Sequence, residues 1–391
     1  MRTAHLLTVF FMIASLSSCV TLDEDVPALG NKAVTPEMLL DASPLVAGME
    51  LEDLSQVDIL EMTPEMMAFI DSYNAGARNK YARMKRLVFA VIGEGQFELV
   101  YDDKTRTAPE TFHDQRGNCL SFTNMFIAMA RYLGIHASYQ EVEIPPDWSL
   151  AGESFLFSQH VNVELDLGAD VIRVIDFNAY DFDTSFERQL ISDGRARAHF
   201  FNNIGVDYML EANSSQAFAN FRQALREDST FSPAWINIGI LHRREGYLNY
   251  AEAAYLQALE IDRLNLVAMS NLANLYEEAG LTERAEFYQN RVRSHRMSNP
   301  YYRYHLAQES VINGDYSAAI RGLKFAIRKR KNEDRFYSLL SISYLMSGDE
   351  EAARRWMKKA EEISTEDADR KRYHNKLDLL MSQGARQDGI Q

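Results

Sequence analysis

Three side chains of this 391-residue chain have the types and spacing for nucleophilic chemistry: Cys119, His160 and Asp176. Cys119 lies in the stretch Arg116-Gly117-Asn118-Cys119-Leu120-Ser121-Phe122-Thr123-Asn124, where a glycine turn gives way to an apolar-periodic segment. Phe122, Phe126, Met129 and Leu133 recur at three- and four-residue steps and Gly134 supplies a stop. The spacing therefore predicts an amphipathic helix with Cys119 at or near its N-terminus. The positive end of the helix dipole favours thiolate over thiol there, and Gly117 is expected to let a substrate backbone approach the sulfur closely. A thiol nucleophile also needs a base. The runs His160-Val161-Asn162-Val163-Glu164-Leu165 and Val171-Ile172-Arg173-Val174-Ile175-Asp176, joined through Gly168, read as a β-hairpin. A turn centred on Gly168 places His160 and Asp176, eight residues to either side, opposite each other. Opposed Cβ atoms are about 5 Å apart, close enough for a carboxylate to fix an imidazole's tautomer and orientation. The bland alternative is that Cys119 is a small buried hydrophobe.

Cysteine at a helix start, histidine at the start of a strand and aspartate near the end of the next strand resembles the core of the transglutaminase-like superfamily, a papain-related fold. The segment from about Thr107 to Tyr180 is similar to its bacterial branch. The resemblance implies an α+β domain in which Cys119 is the nucleophile, His160 the base and Asp176 its orienting carboxylate. It also implies a donor near the oxyanion, for which Gln115 and the backbone N–H of Cys119 are candidates and Trp148 a poorer one. Attack on a carboxamide or peptide carbonyl would give a thioester. Water then gives proteolysis or deamidation, whereas an amine gives a cross-link; hydrolysis is favoured because no second-substrate site is evident and the bacterial branch is often linked to peptidase activity.

Several elements must position these residues. Thr35-Pro36-Glu37 and Thr63-Pro64-Glu65 each combine a capping residue, a proline in the first turn and an early acid, a helix-start pattern. The second helix carries Met67, Ile70, Tyr73 and Asn74 and continues or restarts through Tyr81, Met84, Leu87 and Val88, as a packing wall. Residues 93–101 fit neither period, and Thr107-Ala108-Pro109-Glu110 leads into the loop before the nucleophile. Ile135 to Ile144 reads as a strand, followed by a long segment from Pro145 to Ser158 that is either a groove wall or an insertion. His113 and His136 have no carboxylate that the sequence places beside them. With Cys119 they lack any usual zinc-ligand spacing. Asp181 and Asp183 lack the glycine and distal acid of a calcium loop and read as a solvated turn. No nucleotide, flavin or metal motif occurs, so no cofactor is expected.

At the N-terminus, Arg2, an apolar run from Leu6 to Ile13 and the small residues up to Cys19 have the pattern of a signal peptide. Leu16-Ser17-Ser18-Cys19 is similar to the bacterial lipoprotein processing box, which implies lipidation of Cys19 and membrane attachment through lipid alone. Val20 rather than Asp follows, and by that resemblance the expected location is the periplasmic face of the outer membrane. Cys119 is then the one remaining thiol of two cysteines, in a compartment that oxidises pairs. The balance of 41 basic against 56 acidic residues, a net −15, argues against nucleic acid and direct adhesion to anionic lipid.

The second half is a repeat array. Gly246, Gly280, Gly314 and Gly348 recur every 34 residues, as do Ala217, Ala251, Ala285, Ala319 and Ala353. Gly205, Gly239, Ala273, Ala307 and Ser341 form another register, and Trp235, Ile238, Gly239, Ala251, Tyr255 and Ala258 make the best single match to the tetratricopeptide repeat. The expected organisation is a signal peptide at 1–18, a tether at 19–34, a transglutaminase-like domain at 35–197 with its core at about 107–180, five repeats at 198–367 and a capping helix with tail at 368–391. The fold class is thus an α+β papain-like domain followed by an all-α solenoid. Such solenoids hold a peptide or protein partner on their concave face. Arg321, Lys324, Arg328, Lys329, Arg330 and Lys331 break the acidic background, as an anion-binding patch or as a solvated helix end. The expected function is a membrane-anchored thiol hydrolase or acyltransferase acting on a recruited protein, with a non-enzymatic envelope adaptor as the alternative.

Overall fold

A computed structural model describes residues 29, 34–41, 43–48, 50–93, 97–143, 159–177, 187–364 and 370–376. Cys19, Trp148, Asp181, Asp183 and the long segment after Pro145 lie outside the described residues.

The first half contains α1 (Pro36–Asp41), a 3-10 turn (Pro44–Val46), α2 (Pro64–Asn74), α3 (Lys80–Ile92), β1 (Val100–Tyr101), α4 (Ala108–Asp114), β2 (Arg116–Gly117), α5 (Cys119–Tyr132), β3 (His136–Glu143), β4 (Gln159–Asp166), β5 (Ile172–Ile175) and β6 (Glu187–Ile191). Caps set most of these starts. The Thr63 side chain accepts from the Met66 N–H, Asn79 from that of Ala82 and Asn118 from that of Ser121. The segment expected to be a loop lead-in at Thr107 is instead the start of α4, because Thr107 and Glu110 close a reciprocal capping box.

Helix α5 is buried along its whole middle, from Leu120 to Ala130, rather than on one apolar stripe. The helices α2, α3 and α4 cover one side and the sheet the other. Its polar residues find partners there: Thr123 donates to the Val161 carbonyl at 3.2 Å, and the Tyr139 hydroxyl donates to Asn124 Oδ1 at 2.8 Å.

The four strands lie in the order β5-β4-β3-β6, with every neighbouring pair antiparallel. The β4–β5 register differs from the expected one. Gly168, Ala169 and Asp170 all have positive φ (85°, 51° and 60°), and the Leu167 N–H donates to the Val171 carbonyl across them at 3.0 Å. The turn is thus centred beyond Gly168. Pairs such as Val163↔Ile175 and Asp166↔Ile172 follow, and the same register continued by one residue brings Asn162, not His160, opposite Asp176. The slide is two residues, one full period of a strand, so His160 and Asp176 stay on one face.

The second half is five helix pairs: α6 (Asp193–Leu210) with α7 (Ser214–Glu227), α8 (Ser232–Arg244) with α9 (Leu248–Ile261), α10 (Leu266–Glu278) with α11 (Thr282–Ser298), α12 (Pro300–Ile312) with α13 (Tyr316–Lys329), and α14 (Asp334–Met346) with α15 (Glu350–Ile363). Gly246, Gly280, Gly314 and Gly348 turn the chain between partners at φ of 72° to 90°, and Ala212 takes this place in the first pair at φ 58°. Gly239 lets the Tyr255 ring reach α8: a Cβ there would lie 2.4 Å from a ring carbon. A short helix at 370–376 buries Tyr373 against Tyr337, Met357 and Ala360.

Two expected boundaries do not coincide with breaks in packing. The 197/198 boundary falls inside α6. The start of the expected first domain packs on the repeats instead of the sheet, with α1 against α9 and the 3-10 turn against α7. The Leu29 N–H donates to Glu252 Oε2 at 2.8 Å, so even part of the expected tether touches the repeat array. One hydrophobic core runs from Leu39 through the sheet to Val292, whereas the last two pairs enclose separate clusters around Leu323 and Met357.

Candidate active site

Cys119 is the first residue of α5, and the preceding turn is fixed from two sides. The Val100 N–H donates to the Gln115 carbonyl at 2.9 Å, that of Asp102 to Gly117 at 3.0 Å and that of Asn118 to Lys104 at 3.3 Å. From the other side, Thr105 Oγ1 accepts from Asn118 Nδ2 at 2.7 Å and from Asn203 Nδ2 of α6 at 3.1 Å. The first repeat helix therefore holds the cap of the helix that presents the thiol. Gly117 has a different reason from the expected one: its missing Cβ would lie 2.5 Å from Ser121 Cβ, so the space is taken by the helix's own first turn and not left for substrate.

His160 and Asp176 are each 7% exposed, and His160 Nε2 donates to Asp176 Oδ1 at 2.7 Å. The other carboxylate oxygen accepts from Asn162 Nδ2 at 2.9 Å. His160 and Asn162 are two apart on β4, so both face Asp176 from one side of the sheet. The Cys119 sulfur, half-buried and free of any disulfide, is close enough to His160 to contribute to the rise of its pKa. With Nε2 occupied by the carboxylate, Nδ1 is the nitrogen left to exchange a proton with sulfur. Burial disfavours the imidazolium, but the Asp176 hydrogen bond and the Cys119 sulfur outweigh it and push His160 up to about 9. The structure thus brings Cys119, His160 and Asp176 together.

Two further residues reach the cluster that sequence reasoning did not pick out. Asn162 is completely buried, and in sequence it is an ordinary polar residue in an alternating strand. Tyr101 stands across from Gly117 in the two-rung parallel pairing of β1 and β2, and burial, then the nearby Cys119 side chain, push its phenol's pKa up. No sequence signal marks it, because a two-residue strand has no period.

Gln115, expected as an oxyanion donor, ends α4 in a left-handed conformation and is held by its backbone. Its side chain makes no hydrogen bond to the described residues of the cluster. His113 is exposed and paired with Asp114 at 3.0 Å. His136 opens β3 opposite Asp166, six positions from the Val142↔His160 pair, or about 20 Å along the strand. The fold does not gather these histidines around Cys119, and no group of metal-ligating side chains occurs among the described residues.

Comparison with known proteins agrees with both halves. Residues 68–167 match the family model of the transglutaminase-like superfamily, a span that includes Cys119 and His160 and ends before Asp176. Residues 232–263 match that of the tetratricopeptide repeat. The chain carries a transglutaminase-like domain joined to a tetratricopeptide repeat solenoid. Among solved structures, MamA is similar at 17% identity over 43% of this chain and 91% of its own, with a TM-score of 0.24. YrrB, described as a TPR protein with an unusual peptide-binding site, is similar at 15% identity over 46% and 92%, also with a TM-score of 0.24. No curated protein matches the chain.

Proposed function

We propose that this protein is a thiol enzyme of the transglutaminase-like superfamily that hydrolyses, or transfers the acyl group of, a protein or peptide recruited by its repeats. The observation that carries the reading is the buried His160–Asp176 pair, 2.7 Å apart, near Cys119 at the start of α5, an arrangement that raises the imidazole's pKa. Cys119 attacks a carboxamide or peptide carbonyl, and the His160 imidazolium protonates the departing amine. Asp176 holds the ring with Nε2–H turned to itself, so that Nδ1 serves the sulfur and later the leaving group. Water, activated by His160 once it is neutral, then opens the thioester. Hydrolysis is the favoured outcome, with transamidation following where an amine reaches the thioester first. The repeats supply the recruiting surface, in keeping with the general use of such solenoids. The pattern around Leu16 to Cys19 supports a lipid anchor at Cys19 and a place on the periplasmic face of the outer membrane.

The test is alkylation of Cys119 by iodoacetamide across pH, in soluble protein beginning after residue 19, with and without His160→Ala. Fast labelling that persists well below the ordinary thiol pKa of about 8.5, and that the substitution abolishes, is expected for a thiolate–imidazolium pair. An ordinary thiol profile, unchanged by His160→Ala, overturns the enzymatic reading and moves the function to the binding surface of the repeats.

A further inference from the structure

The register of the β4–β5 pair makes a demand that His160 and Asp176 do not meet by themselves. Val163 faces Ile175, so Asp176 faces Asn162, and His160 stands two residues farther along β4. Its contact with Asp176 is therefore diagonal. Diagonal neighbours on two strands are about 7–8 Å apart, against about 5 Å for opposed ones, so the carboxylate must lean along the strand to bring Oδ1 within 2.7 Å of His160 Nε2. Resting on the catalytic reading of Cys119, His160 and Asp176 above, we propose that Asn162 is a positioning residue for the reaction: its amide holds the trailing carboxylate oxygen and so keeps the leading one turned to His160. Asn162 Nδ2 donates to Asp176 Oδ2 at 2.9 Å. The amide's orientation is fixed, because its nitrogen end meets a carboxylate, which only accepts. Asn162 is 0% exposed, so bulk water does not stand in for this donor. Its other flank is closed by Gln140, the opposed residue of β3, itself buried and tied through Nε2 to Glu164 Oε2 at 2.9 Å. Asn162 Oδ1 has no donor among the described residues. A leucine would fill the same space without a buried unpaired oxygen, so packing alone does not account for an amide here.

Asn162 acts through Asp176 and touches no reacting atom. With the amide in place, Oδ1 accepts from Nε2–H and leaves Nδ1 for the proton that sulfur gives up. Without it, Oδ2 loses a donor in a buried setting, the carboxylate is free to turn about its Cβ–Cγ bond, and Oδ1 leaves the line to the ring. The imidazolium then loses its support and the thiolate its counter-ion. The ionisable groups that face His160 are Asp176 from β5 and Cys119 from α5. Glu164 lies beyond Asn162 on the same face of β4 and is engaged by Gln140.

Alkylation at two pH values separates positioning from a mere effect on folding or access. Iodoacetamide reacts with thiolate, and protein beginning after residue 19 has Cys119 as its one cysteine. Rates are measured for wild type, for Asn162→Leu, which fills the site without a donor, and for Asn162→Ala, which cannot overpack it. Thermal unfolding by circular dichroism establishes which variants are folded. At about pH 9.5 a thiol with the ordinary pKa of about 8.5 is already mostly ionised, so the rate reports access to sulfur, whereas at about pH 6 it reports the thiolate–imidazolium pair. The folded variants are expected to react at least about 10-fold more slowly than wild type at about pH 6 and within about twofold of it at about pH 9.5. Unchanged rates at the lower pH, or an equal fall at both, overturn the positioning role while leaving the nucleophile assignment standing. A wild-type protein that itself reacts as an ordinary thiol at the lower pH overturns that assignment, and the role of Asn162 with it.

Discussion

Asp176 is the residue on which the proposed chemistry turns, because each of its oxygens has a separate task. One accepts from His160 and the other from the buried Asn162, so the carboxylate cannot rotate away without leaving a buried amide unpaired. The histidine's pKa, raised to about 9 from an unfolded value near 6.5, makes it a stabilising contact with a definite sign. Its contribution is complete below about pH 6.5 and is lost as pH rises through about 9. Replacing Asp176 by Asn removes a main source of that rise. The imidazole titration, followed by NMR, is expected to fall back toward about 6.5, and the difference in stability from wild type to shrink between pH 6.5 and 9. A titration left near 9 in the variant would mean that Asp176 does not hold the charge. Cys119 and His160 could be paired from sequence because cysteine, histidine and aspartate stand out by type. Asn162 and Tyr101 could not, since asparagine and tyrosine occur in many strands for other reasons.

At the scale of the element, the local chemistry of caps and glycines was readable and the details of turns were less so. Asn118 and Gly134 bracket α5 where the three-and-four spacing ends, whereas the turn after β4 took three positive-φ residues instead of one glycine. Sequence symmetry assigns the turn to its glycine; the strand register assigns it where hydrogen bonds close. The small-residue pattern of the repeats also shows a flaw in the first pair. Ala212 sits at φ 58° where the other four pairs have glycine. A non-glycine residue pays about 1 kcal/mol for that conformation. Ala212→Gly is therefore expected to raise the stability of the chain by up to about 1 kcal/mol, read as a shift in denaturation midpoint, and Gly246→Ala to lower it by a similar amount. A neutral Ala212→Gly would show that the turn is strained by something other than its Cβ.

For the molecule as a whole, the packing joins what the sequence divides. The core from Leu39 to Val292 is shared by the sheet domain and the first three helix pairs, and the Asn203–Thr105–Asn118 chain carries that junction to the nucleophile helix. The last two pairs have cores of their own. A chain ending at Ser298 is thus expected to stay folded and to keep the alkylation rate of Cys119 within about twofold, since it retains every buried contact around the thiol. Thermal unfolding by circular dichroism checks the first expectation; a truncated chain without a cooperative transition would show that the last pairs support the shared core. The sequence by itself determined the two kinds of fold and the chemically distinctive residues, because 34-residue periodicity and nucleophile spacing are properties of the chain read in one dimension. Only the tertiary structure decided that Asn162 faces Asp176, that Tyr101 pairs with Gly117 and that α6 braces the cap of α5. Each of these depends on strand register or on the docking of elements far apart in sequence, which packing sets globally and which no local pattern encodes.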